Sequence, residues 1–241
     1  MRGVTRPAAD EPLPAAGLGR HAVGGLVRAL VLPVARGLPW RPLAAGGTLG
    51  LLIAAGTRLH SDGVQPWLAL LHLRAAALAF GLGLAFLLDD PARHTTATVP
   101  VRRLLRAGLR VALVAPVAVA WWGAAVLLVP AEGRPPLGDV TLEVAATAVL
   151  ALAAAAAAVR LWEEPEPGQA TAAVVLVTGV AAPLLMPGRW TLFVRLGVDR
   201  WDEAHRAWAW VLAGAVLVWV ACTVEPVRRP LGGWSRSSPR P

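Results

Sequence analysis

The chain has 241 residues, 56% of them hydrophobic and only 16% charged, with a mean hydropathy of +0.56. Soluble domains average about 25% charged residues, so this composition excludes a disordered chain and disfavours an ordinary soluble enzyme. The net charge is +8, and all 23 basic residues are arginine; without lysine the chain has no standard phosphate-binding loop and no Schiff-base lysine chemistry.

Residues 1–20 are polar and Pro-rich, with no apolar core of a secretory signal, and read as a disordered leader. Residues 21–42 change character. Val23, Leu26, Val27, Leu30, Val31 and Val34 recur at helical spacing, with Arg20, Arg28 and Arg36 near the polar side. The pattern predicts an amphipathic helix lying on the membrane surface; the plainer alternative is a poorly ordered leader that touches lipid.

Six apolar stretches follow, near 43–57, 67–88, 111–129, 140–159, 170–186 and 207–224. Most reach the roughly 17–25 residues that cross a bilayer, and the first is the shortest. The predicted fold is therefore an all-α polytopic membrane protein with a six-helix transmembrane domain over 43–224. With the N-terminus in the cytoplasm, the inside segments carry 16 arginines and the outside segments 6. That asymmetry places both termini, including the tail 225–241, inside. Because the arginines flank apolar segments, the basic balance points to a lipid bilayer and not to nucleic acid.

The second inside segment, 88–110, reads as more than a connection. Asp89 and Asp90 stand where the second span ends, and Pro91 suits the first turn of a helix that Asp90 would cap. Pro100 redirects the chain before Arg102, Arg103, Arg106 and Arg110. This is either a loop that only sets topology or a docking element.

In the fourth span, Ala153 to Ala158 are consecutive alanines, which suit close helix packing. Glu163, Glu164 and Glu166 are interrupted by Pro165 and Pro167 and read as a solvated turn. The outer segment 187–206 has Trp190, Phe193, Val194, Gly197, Val198 and Trp201 at helical offsets, which predicts a short interfacial or re-entrant helix.

Charged groups inside a membrane are expensive and therefore candidates for function. Three qualify: His72, Arg74 and Glu143. Arg74 and Glu143 sit on the outer side of their spans, where they either pair or reach separately to the interface. The middle of the bilayer carries no charge, which speaks against a proton relay. Hydrolase motifs are absent, the five histidines lack paired metal spacing, and Cys222 is the single cysteine; no catalytic residue, metal or disulfide is expected.

With these residues in view, the chain resembles the membrane-spanning permease subunit of ABC-2-type ABC transporters. More narrowly, it is similar to small actinobacterial six-span permeases whose second span ends in FLLDDPA, followed by Thr, Pro and an Arg-rich run, here Phe86 to Arg110. The resemblance implies an export permease of the cell membrane, paired with a second permease chain and a separate ATPase that binds ATP and Mg. It implies that 21–42 is a connecting helix and that 187–206 is a re-entrant hairpin. It also assigns coupling to the ATPase to Asp89, Asp90, Pro91, Thr95, Thr96, Arg102, Arg103 and Arg106. Trp121 and Trp122 either face the pathway or pack. Two other readings remain from the residues alone: a non-transporting membrane anchor or immunity-type protein, and an intramembrane enzyme built on His72, Arg74 and Glu143.

Overall fold

A computed structural model describes residues 31–60, 64–89, 103–161, 166–186 and 192–224. The chain divides into two compact units, Met1–Gly37 and Leu38–Pro241. In the first, residues 31–36 are helical, and the Gly37 amide closes that turn on the Pro33 and Val34 carbonyls at 3.0 and 3.1 Å. Of the rest of the expected surface helix, 21–30 lie outside the described residues, and 40–42 already belong to the first long helix, so its expected end at 42 moves back to the turn at Gly37.

Among its described residues the second unit has six helices long and apolar enough to cross a membrane: α1 Trp40–Ala55, α2 Pro66–Leu84, α3 Arg103–Leu128, α4 Leu137–Leu161, α5 Gly168–Leu185 and α6 Trp201–Thr223. No strand occurs among the described residues. In lipid the backbone has no water to bond, so a chain of Ala, Leu and Val satisfies its amides internally as helix. Close contacts such as Gly83 on Pro42 and Asp89 on Gly168 bring the end of one helix to the start of its neighbour, so these neighbours run in opposite directions. One end of the unit carries Asp89, and the other carries Arg58.

The six spans match the six apolar stretches, and the differences lie at their ends. The first is not short: a 3₁₀ turn, Gly56–Leu59, extends it to 20 residues. The third starts at Arg103 instead of 111, so the end of the basic loop is already helical. The sixth starts at Trp201, because Asp202 and Glu203 fall in its first turn, where acidic side chains favour a helix start. This corrects the outer segment: 201–206 belong to α6, and 192–200 form bends and turns, with Gly197 at φ 82°. A residue in that left-handed region interrupts a right-handed helix.

Helices α2 and α4 lie innermost, with 56% and 44% of their spans buried against 11% for α3 and α5. The side chains of Leu73, Leu87, Val129 and Val140 are fully enclosed. Trp121 stacks on Phe80 at 4.4 Å and donates through Nε1 to the Gly47 carbonyl at 2.9 Å, so it packs α3 onto α1 and α2. Trp122 instead donates to Thr141 Oγ1 at 3.0 Å. In the alanine run, Ala155 and Ala156 pack with Leu88, Trp219 and Cys222, which lets α4 approach α6 closely.

Candidate functional site

Among the described residues, polar contacts join the helices toward both ends of the unit. At the Arg58 end, Arg74 on α2 and Glu143 on α4 form a fork. Arg74 Nε donates to Glu143 Oε2 and Nη2 to Oε1, both at 2.6 Å. Only 3% of the Glu143 side chain is exposed. A paired, bidentate contact is the form in which a buried carboxylate and guanidinium are tolerated. The Arg74 guanidinium also lies 5.5 Å from the centre of the Phe193 ring, and the Val194 carbonyl is 3.5 Å from Nη1 and Nη2.

His72 is not in this junction. Its Nδ1 donates to the Leu68 carbonyl at 2.8 Å, and its ring meets His60 edge-on at 6.1 Å. Its place is taken by His205 on α6. There Nδ1 lies 2.8 Å from the Trp201 carbonyl, which can only accept, so Nδ1 carries a proton. Nε2 lies 3.0 Å from Glu143 Oε1 in a contact too bent for a hydrogen bond, and it has no hydrogen-bond partner among the described residues. Trp201 Nε1 donates to Asp139 Oδ2 at 2.7 Å, and Trp208 Nε1 donates to the Leu192 carbonyl at 3.0 Å.

The signal for His205 was present in spacing. Asp139 and Glu143 stand four apart on α4, Trp201 and His205 four apart on α6, and such pairs share a helix face. It was obscured because the last span was expected to begin at 207, which places Trp201 and His205 in a separate outer segment. Chemically, both Glu143 oxygens are engaged by one guanidinium, so the carboxylate is not set up as a general base. The arrangement is an ionic tie among α2, α4, α6 and the segment 192–200.

At the Asp89 end the junction is built from the loop's two roots. Pro167 precedes α5 and provides no side-chain cap. Asp89, from the end of α2, fills that role: its Oδ1 accepts from the Gly168 amide at 2.9 Å. A Cβ on Gly168 would collide with the Asp89 carboxylate and the Phe86 ring, so the position suits glycine. Arg110 Nη1 on α3 donates to the Asp89 and Leu87 carbonyls at 2.8 and 3.2 Å. Burial pushes the Asp89 carboxyl up to about 6; the Gly168 amide and Arg110 oppose that rise, and Glu166 adds to it. Arg160 at the end of α4 donates to the Ala221 carbonyl at 2.5 Å, tying α4 to α6 at this end.

Of the expected docking residues, Asp89 and Arg106 are described, and Arg103 begins α3. Asp90, Pro91, Thr95, Thr96 and Arg102 lie outside the described residues. No group of three or more His, Cys, Asp or Glu suited to a metal occurs among the described residues. Comparison with known protein families, curated proteins and solved structures returns no match for this chain.

Proposed function

We propose that this chain is the membrane-spanning permease subunit of an ATP-driven exporter of the ABC-2 type. It acts in the cell membrane with both termini in the cytoplasm, as one of two permease chains that together form the substrate pathway. A separate ATPase subunit binds ATP and Mg, since this chain has no lysine for a phosphate loop. The loop 88–110 receives the ATPase.

The observation that carries this reading is how that loop is rooted. Asp89 at one root holds the start of α5 through Gly168, and Arg110 at the other holds the end of α2 through two carbonyls. A push on the loop is therefore delivered to α2, α3 and α5 together. A loop that served only to set topology has no need of such bracing. The arginines that open α3 suit an acidic partner or anionic headgroups. On this reading the Arg74–Glu143 fork lies at the outer end.

The test is a mild-detergent pull-down of the tagged chain from its native membranes, read by mass spectrometry. The expected result is a P-loop ATPase in near-equal amount, lost when Asp89 and Asp90 are both changed to Ala while membrane insertion is kept. Absence of an ATPase, under conditions that preserve other membrane complexes, overturns the reading in favour of an anchor.

A further inference from the structure

A groove of about 300 Å³ opens between α1 and α3. Ala44, Gly47 and Leu51 form one wall, Val114 and Val117 the other, and Trp121 stacked on Phe80 closes the floor. Trp121 creates it. The indole lies across α1, held by its bond to the Gly47 carbonyl, and occupies space that a side chain at Gly50 would need. The indole thus lies between α1 and α3 and is one of the side chains that line the groove.

The groove has direction and length. It starts at Trp40 in the first turn of α1 and reaches Leu51, about 16 Å along the helix. That is about half the ~30 Å hydrocarbon core, the depth of one leaflet. Its mouth is basic. Arg41, exposed beside Trp40, shares its turn with no acidic residue. Gly83, late in α2, lies against Pro42, and Arg110 of α3 reaches Leu87, so α3 begins at this same end with Arg103 and Arg106.

We propose that the groove is a lipid-binding site that takes one acyl chain of an anionic phospholipid, with the phosphate on Arg41. The apolar walls match the chain, the leaflet-deep length matches its reach, and the arginine at the mouth matches the headgroup charge. The site does not depend on a transport function.

The test reconstitutes the full chain in nanodiscs with phosphatidylglycerol or phosphatidylcholine carrying the same photoactivatable acyl chain. After irradiation, labelled peptides are mapped. Phosphatidylglycerol is expected to label the α1 stretch from Trp40 to Leu51 about fivefold more than phosphatidylcholine, the preference that one arginine near the surface confers. Arg41→Gln is expected to bring the two lipids to parity. Val117→Trp, which fills the groove, is expected to lower labelling by both, and Ala44→Leu does the same from the other wall should Val117→Trp not fold. Labelling along Trp210–Val218 of α6, which lines no part of this groove, stays constant in every folded variant and reports general lipid contact. Equal labelling of the groove by the two lipids in the unmodified chain overturns the proposal. So does a preference that survives Arg41→Gln. A disulfide between two copies through Val117→Cys in a Cys222→Ala background also overturns it, by giving the groove to a second chain.

Discussion

Glu143 carries the buried charge balance of the Arg58 end, because one carboxylate meets the Arg74 fork and the His205 ring. Removing it leaves the guanidinium without its counter-charge in a mostly enclosed place. Breaking a buried pair from one side costs about 3–5 kcal/mol, whereas replacing both partners with apolar groups of similar volume is often neutral. Glu143→Ala should therefore lower the unfolding temperature in detergent markedly, and Arg74→Met with Glu143→Leu should recover most of the loss. Equal losses in both would show that the fork stabilises by itself. The two residues stood out in the sequence as charges inside different spans, but whether they pair or reach separately to the interface was left open until α2 and α4 were placed together. His205 did not stand out, because its face is defined only once α6 is known to start at Trp201. Asp89 sets a different dependence. Its carboxyl titrates at 3.8 when unperturbed and at about 6 in the folded chain. The folded state thus holds this proton more tightly than the unfolded state. The stabilisation it confers is complete below 3.8 and is lost as the pH rises through about 6. Asp89→Asn keeps an acceptor for the Gly168 amide but cannot ionise. Between pH 4 and 7 the unmodified chain should lose more thermal stability with rising pH than Asp89→Asn does, and parallel profiles would remove Asp89 as the titrating group.

At the scale of helices, small residues decide which pairs approach. A Cβ on Gly83 would lie 2.8 Å from the Pro42 carbonyl oxygen, and one on Gly50 the same distance from that of Ala76, so α1 and α2 meet backbone to backbone. Gly214 on α6 has nothing within 4 Å of its Cβ position. Gly83→Val should therefore destabilise by about 1–3 kcal/mol or more through overpacking. Gly214→Ala should be neutral or gain about 0.5–1 kcal/mol from helix propensity. Thermal unfolding of the two variants side by side checks the contrast; a silent Gly83→Val would mean that the α1–α2 contact yields without cost. The existence of each span was legible because an apolar run of bilayer length has few other fates. The ends were less so. The start of α6 contains Asp202, Glu203, His205 and Arg206, whose polarity keeps them out of the apolar stretch 207–224, yet the two acids fall in the helix's first turn. The trans cap of α5 by Asp89 was beyond reach, since Pro167 gives no sign of where its cap comes from.

Across the Leu38–Pro241 unit the two ends are tied differently, and that difference makes a statement about motion. α2 and α4 are joined in the Arg58 half by the fork, and nearer the Asp89 end of α2 by close contact: a Cβ on Gly81 would stand 3.8 Å from that of Ala151. α4 and α6 are joined by His205 beside Glu143 at one end and by Arg160 on the Ala221 carbonyl at the other. If the chain is a permease that rocks between two states, these three helices are built to travel as one body, and rearrangement falls to the thinly packed α3 and α5. The Gly81–Ala151 spacing permits a direct test, because the usual Cβ separation across a disulfide is about 3.8 Å. In a Cys222→Ala background, Gly81→Cys with Ala151→Cys should form a disulfide that links α2 to α4. In the complex co-purified with its ATPase, the oxidised and reduced forms should hydrolyse ATP at the same rate, since the link constrains helices that already move together. A fall in rate on oxidation that reductant restores would mean that α2 and α4 separate in each cycle. The fork would then be a contact that breaks and reforms, and the ionic tie would be part of the transport step instead of the frame around it.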